Sequence, residues 1–138
     1  MKTGLMAGGI ALLATLGLSF AAFAGPSVDT DSDGVYDVLD NCLTVPNGPP
    51  SDCDADNDGY GNVCDGDFDQ DFFVFPGDFA IWFADFGTGY DTSGTGTDMD
   101  CDGYVFPGDF TVWNGIFNST GSPGPSGLHC AGSVPCDL

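Results

Sequence analysis

Apolar residues along this chain change their spacing twice, and each change marks a different kind of structure. From Leu5 to Phe23 they run nearly unbroken behind Lys2 and end in Ala22-Phe23-Ala24. This is the pattern of a secretory signal peptide with a small-residue cleavage site, which puts the start of the mature chain at Gly25; the alternative is an uncleaved membrane anchor. From Val28 to Asp65 apolar positions are sparse among Asp, Asn, Gly and Pro and follow neither a strand nor a helix period, which predicts consecutive loops. Beyond Asp67 helical spacing sets in. Phe79, Trp82, Phe83 and Phe86 share one face of a short helix, and Phe110, Trp113, Ile116 and Phe117 share another. Pro76 and Pro107 suit the first turn of each, where a missing N–H is harmless, and the helices are expected to end near Gly87 and Asn118. Gly87 to Thr97 reads as a linker, and the Gly/Pro/Ser-rich tail from Gly121 to Leu138 is expected to be tied down by Cys130 and Cys136.

The two helical stretches belong to an internal repeat with an offset of 31 residues. Asp67 to Phe79 aligns with Asp98 to Phe110, and Trp82 and Phe86 align with Trp113 and Phe117. The aromatic faces suit a ligand platform or a core; two short amphipathic helices in so small a module need a core, which favours burial against each other. Val74 and Val105, aligned within the repeat, are candidates for a short strand contact joining its halves.

Charge narrows the choice of partners. The chain holds 21 acidic residues, all Asp, against one basic residue, for a formal net charge of -20. Lys2, the basic residue, sits in the leader. A surface without cations repels nucleic acid and anionic lipid, so neither is expected as a partner, nor is membrane insertion once the leader is removed. Self-repulsion on this scale opposes folding and makes divalent cations expected structural components. Six cysteines in an exported chain suit disulfides, with fifteen pairings open. They lack the tight spacing of a zinc site.

The aspartates are themselves patterned. Four times, three fall at alternate positions and a fourth follows seven residues after the third: Asp29, Asp31, Asp33 and Asp40; Asp54, Asp56, Asp58 and Asp65; Asp67, Asp69, Asp71 and Asp78; Asp98, Asp100, Asp102 and Asp109. Roughly 0.1 such match is expected by chance at this Asp frequency. Calcium takes six to eight oxygens, and a twelve-residue loop offers them from positions 1, 3, 5 and 12, a backbone carbonyl at 7, and position 9. The carbonyls at position 7 belong to Val35, Tyr60, Phe73 and Tyr104, and position 9 supplies Asp37 and Asn62 in the first two loops. The sharp turn at position 6 is Gly34, Gly59 and Gly103 in three loops but Phe72 in the third, which predicts the weakest site there. Position 12 is Asp throughout, shorter than the usual Glu, so affinities near the extracellular range of roughly 0.1 to 1 mM are expected. A solvated acidic linker is the alternative.

The run from Asp29 through Asp40-Asn41-Cys42 and Asn47-Gly48-Pro49-Pro50 to Cys64-Asp65 resembles thrombospondin type 3 repeats. The resemblance implies loops wrapped around a string of calcium ions, held by disulfides, with almost no regular secondary structure. Residues 67 to 120 resemble a dockerin type I module, which implies two loop-helix calcium units and docking to a cohesin-like receptor. The positions that carry recognition side chains in dockerins are Pro76-Gly77 and Pro107-Gly108 here, and the helices lack Lys and Arg.

The expected organisation is a signal peptide over 1–24, thrombospondin type 3-like calcium repeats over 25–66, a dockerin-like loop-helix pair over 67–120 and a tail over 121–138. The expected fold class is small, irregular and stabilised by calcium and disulfides, mainly α where regular. The leading functional reading is a secreted or cell-surface calcium-binding structural or adhesion-type module taking up to about four Ca2+ ions. The alternative is an adaptor for a cohesin-like or cell-surface protein. Catalysis has little to build on, since Asp52, Asp85, Asp91 and Asp137 lie outside the loops with no evident base or cation, and His129 reads as incidental. Asn118-Ser119-Thr120 fits a glycosylation sequon.

Overall fold

The computed structural model describes residues 27–136; the expected signal peptide and Asp137 lie outside them. Regular structure is confined to one-turn 3-10 helices at Asp37–Leu39 and Asn62–Cys64 and two α-helices, α1 (Pro76–Phe86) and α2 (Pro107–Ser119). No strand occurs among the described residues. Each α-helix opens with Pro, and the carboxylate at its third position, Asp78 or Asp109, turns back to accept the N–H of Phe75 or Phe106 at 2.8 Å. That bond satisfies a donor at the helix start and places a negative charge at the positive end of the helix dipole.

The core consists of Phe68, Val74, Trp82, Met99, Val105 and Trp113. These are three pairs related by the internal repeat: Phe68 with Met99, Val74 with Val105, Trp82 with Trp113. The helical faces contribute Trp82 and Trp113, with Phe110 and Ile116 packed against them, as expected; the other four of the six come from loops, which the helical spacing did not show. Phe79, Phe83, Phe86 and Phe117 all keep a substantial part of their surface in solvent. The helices do meet, Phe79 and Trp82 of α1 packing on Phe110 and Trp113 of α2 with ring centroids 5.3 to 5.8 Å apart, and the loop residues complete the core beneath them.

Val74 and Val105 do not pair. The Val74 N–H donates to Gly121 O at 2.9 Å and the Val105 N–H to Gly89 O at 3.1 Å. Each loop is thus latched to the residues that follow the opposite helix, a reciprocal arrangement in keeping with the duplication. The duplication is imperfect at one point: the Trp113 indole N–H donates to Gly66 O at 3.1 Å, whereas the buried Trp82 Nε1 has no partner.

Three disulfides join Cys42 to Cys64, Cys53 to Cys101 and Cys130 to Cys136. Their separations are 22, 48 and 6 residues. In a chain-entropy account the first two stabilise by about 3 and about 4 kcal/mol. Cys53–Cys101 fastens the second acidic loop to the fourth, and Asn62 reinforces it by donating to Asp98 O at 2.8 Å. Cys130 and Cys136 close a small ring within the tail and so do not anchor it. The anchoring comes from backbone bonds: Leu43 N–H to Pro125 O, Gly124 N–H to Cys64 O, Gly127 N–H to Asp40 O, Gly132 N–H to Asp58 O and Cys136 N–H to Asn57 O. The tail therefore lies across the first two loops. A cavity of about 210 Å3 remains beneath it, lined among others by Asp40, Asn47, Asp54 and Leu128.

Candidate metal centres

All four acidic loops adopt one backbone shape. The N–H at position 6 donates to the position-1 carboxylate: Gly34 to Asp29, Gly59 to Asp54, Phe72 to Asp67 and Gly103 to Asp98. The N–H at position 7 donates to the position-5 carboxylate: Val35 to Asp33, Tyr60 to Asp58, Phe73 to Asp71 and Tyr104 to Asp102, all at 2.8 or 2.9 Å. Positive φ recurs at position 6, with Phe72 at +69° where the others have Gly, and also at position 4, in Ser32, Asn57, Gln70 and Cys101. Position 4 carries no common residue type, so this second left-handed step was not legible beforehand.

This turning gathers the carboxylates. Ligand oxygens of Asp29, Asp31 and Asp33 lie within 4.8 Å of one another, as do those of Asp54, Asp56 and Asp58 and those of Asp67, Asp69 and Asp71. In the fourth loop the group is Asp98, Asp100 and Asp109, with Asp102 outside it. The position-12 residues Asp40, Asp65 and Asp78 lie outside the corresponding groups but are buried. Two arrangements separate the halves of the chain. Asp40 and Asp65 each accept the N–H two residues ahead, from Cys42 and Asp67. Asp78 and Asp109 instead fold back from a helix onto their own loop, accepting from Asp69 and Met99.

Position 9 is engaged across the loop. Asp37 accepts both the N–H and the hydroxyl of Thr30, and Asn62 accepts the Ala55 N–H. The position-7 carbonyls of Val35, Tyr60, Phe73 and Tyr104 accept no hydrogen bond among the described residues.

Burial, with like charges close by, shifts several of these carboxyls in the direction that disfavours ionisation. Burial, then the neighbouring Asp58 and Asp54, push the Asp56 carboxyl up to about 7. Burial drives Asp67 up to about 6 and Asp65 well above its ordinary value. Asp31, Asp40, Asp58, Asp78, Asp98 and Asp100 move in the same direction, each with burial as the largest cause. Asp33 moves the other way, held down by N–H groups of Val35, Asn47 and Gly48. In the first loop two carboxylate oxygens, Asp31 Oδ2 and Asp40 Oδ2, are buried without any hydrogen-bond partner. An anionic oxygen stripped of water and facing other anions is costly unless a cation meets it. The donor set is oxygen throughout, which suits a hard cation such as calcium.

Residues 27–48 and 53–73 match the family model of the thrombospondin type 3 repeat. The match takes in the first two loops whole and runs on to Phe73 in the third. Thrombospondin type 3 repeats are calcium-binding extracellular modules, in line with the oxygen-only clusters and the disulfides in this segment. No curated protein and no solved structure matches the chain. No helix of the described residues is long and apolar enough to cross a membrane.

A fifth turn escaped the spacing rule. Asp91 accepts N–H bonds from Gly94 and Gly96, as Asp29 does from Ser32 and Gly34, and Gly94 and Gly96 have positive φ at the equivalent places. Ser93 and Thr95 stand where the other loops have carboxylates. Their neighbour is the buried Asp85, which accepts from the hydroxyls of Thr92, Ser93 and Thr97. Burial pushes its carboxyl up, but these donors outweigh that and hold it below the ordinary value. Here hydroxyls satisfy the charge. No search for three alternate aspartates finds such a turn.

Proposed function

We propose that this chain is a secreted calcium-binding structural module whose acidic loops complete their fold by enclosing up to about four calcium ions. The observation that carries the reading is the pair of buried, unpartnered oxygens on Asp31 and Asp40 within a set of repelling carboxylates. Asp29, Asp31 and Asp33 would hold one ion with the Val35 carbonyl, and the corresponding residues of the other loops would hold theirs. Calcium supplies charge neutralisation and cross-linking there, and the role is structural. Three disulfides fit the oxidising exterior that a signal peptide implies.

The test is a calcium titration of the disulfide-intact chain, following far-UV circular dichroism and Trp fluorescence, with EDTA reversal and a magnesium control. A reversible, calcium-selective gain of helix supports the proposal. Spectra unchanged up to several millimolar calcium, about the top of the extracellular range, would replace it with a solvated acidic chain.

A dockerin-like adaptor is the second reading, favoured by the duplicated loop-helix units with their reciprocal latches at Val74 and Val105. It requires saturable, calcium-dependent capture of a cohesin-like receptor, abolished by chelation; absence of saturation in calcium would exclude it.

A further inference from the structure

Positions 7 and 9 of the third and fourth loops are Phe73 and Phe75, and Tyr104 and Phe106. The valine between each pair is buried, and strand-like alternation turns its neighbours outward. Exposure is 53% for Phe73, 53% for Phe75, 45% for Tyr104 and 52% for Phe106. Scattered exposed aromatics need no explanation, but these are ordered. The Phe73 and Phe75 rings stack with centroids 5.5 Å apart and planes 5° apart, and Tyr104 and Phe106 repeat this at 5.5 Å and 8°. Tyr90 extends the second pair, its centroid 5.4 Å from that of Tyr104. Duplication has thus placed the same flat, half-exposed stack on both units.

The surroundings define what such stacks accept. Asp69 and Asp71 precede the first pair in sequence and Asp100 and Asp102 the second; all four are exposed, but they belong to the acidic loops and are reserved for the cation. No Lys or Arg occurs among the described residues, so none covers the rings, and with a formal net charge of -20 the chain stays strongly acidic even with its loops filled by about four calcium ions. Aromatic faces attract cations, and the planar guanidinium of Arg both stacks on rings and forks onto carboxylates. From this charge complementarity we infer that the two stacks are equivalent docking sites for an arginine-bearing segment of a basic partner protein, one guanidinium lying on each stack and drawn there by the excess of acidic side chains over bound cations. The inference goes beyond calcium binding, which serves only to hold the loops in shape.

Isothermal titration of the calcium-loaded full chain with a twelve-residue peptide of alternating Arg and Ser, at about 150 mM salt where long-range attraction is screened, tests it. Circular dichroism beforehand establishes that each protein sample is folded, so a failure of the calcium reading shows separately. The expected result is saturable binding that falls about fivefold to tenfold in Phe73→Leu/Phe75→Leu and again in Tyr104→Leu/Phe106→Leu. These variants keep apolar bulk and charge but lose the ring faces; Phe83→Leu, also exposed but outside the stacks, should bind as the wild type does. Equal affinity of all variants would overturn the inference in favour of general charge attraction. So would equal binding of a peptide with Gln in place of Arg, or binding of a neutral oligosaccharide that depends on the same rings when the Arg peptide does not bind.

Discussion

Replacing Asp40 by Asn separates the cost of the buried charge from its use. Asp40 is 2% exposed, its Oδ1 accepts the Cys42 N–H, and its Oδ2 has no partner, with Asp31, Asp33 and Asp37 repelling it. Without calcium an unsatisfied buried polar atom costs about 1 to 3 kcal/mol, more when charged. Asp40→Asn removes the charge at nearly constant shape, so the calcium-free protein should gain on the order of 1 kcal/mol, or about 4 °C in Tm for a domain of this size. Calcium reverses the balance. A site with Kd of about 0.1 mM contributes about 1.4 kcal/mol at 1 mM calcium, and a tenfold weaker one about 0.4 kcal/mol. The variant should therefore melt higher than the wild type in EDTA while showing a smaller calcium-induced rise. Thermal melts in EDTA and in 1 mM calcium, followed by circular dichroism, measure both. A variant less stable than the wild type in EDTA, with an undiminished calcium response, would refute the argument that this oxygen awaits a cation.

Acidity should act through the same groups: with Asp56 raised from 3.8 to about 7 and Asp67 to about 6, the calcium-free fold holds protons that the unfolded chain releases, so its stability falls as pH rises from about 4 to 7. Calcium takes the ionised form, so titrations at pH 6 in buffers of different ionisation enthalpy should show proton release that vanishes at pH 8; equal release at both would contradict the assignment. The unequal tryptophans offer a comparison, since Trp113→Phe leaves Gly66 O without its donor while Trp82→Phe removes an N–H that has no partner. In urea unfolding Trp113→Phe should be the more destabilising by about 1 kcal/mol. Thr97→Val takes one hydroxyl from buried Asp85 and should cost about 1 to 3 kcal/mol equally in calcium and in EDTA; a cost that disappears in calcium would mean that this turn depends on the ion after all.

Much of the candidate site was legible because such a turn is local: alternate spacing brings the carboxylates of Asp29, Asp31 and Asp33 together, and the chain between them records it. The two helices were legible for a related reason, their ends at Phe86 and Ser119 lying one residue from those expected at Gly87 and Asn118. What depends on distant partners was not. Helical spacing identified Trp82 and Trp113 but assigned too much of the core to their neighbours, because Phe68 and Met99 enter it from loops that show no period. Asp85 looked idle since its donors lie up to 12 residues away and are hydroxyls that any linker would carry. The pairing of Cys53 with Cys101 spans both halves of the chain and has no local trace.

The tail described above has a bearing on when this protein can become itself. Asn57 O, Asp58 O and Cys64 O, all within or beside the second acidic loop, accept from Cys136, Gly132 and Gly124. Contacts so remote in sequence must overcome loop-closure entropy before they return any stability, which makes them slow. As the chain is made from its N-terminal side, the loops made first must therefore wait for residues made well after them. Cys42–Cys64 and Cys53–Cys101 can close before the tail is made, so the disulfides would set the loops' frame first and the tail would lock them last.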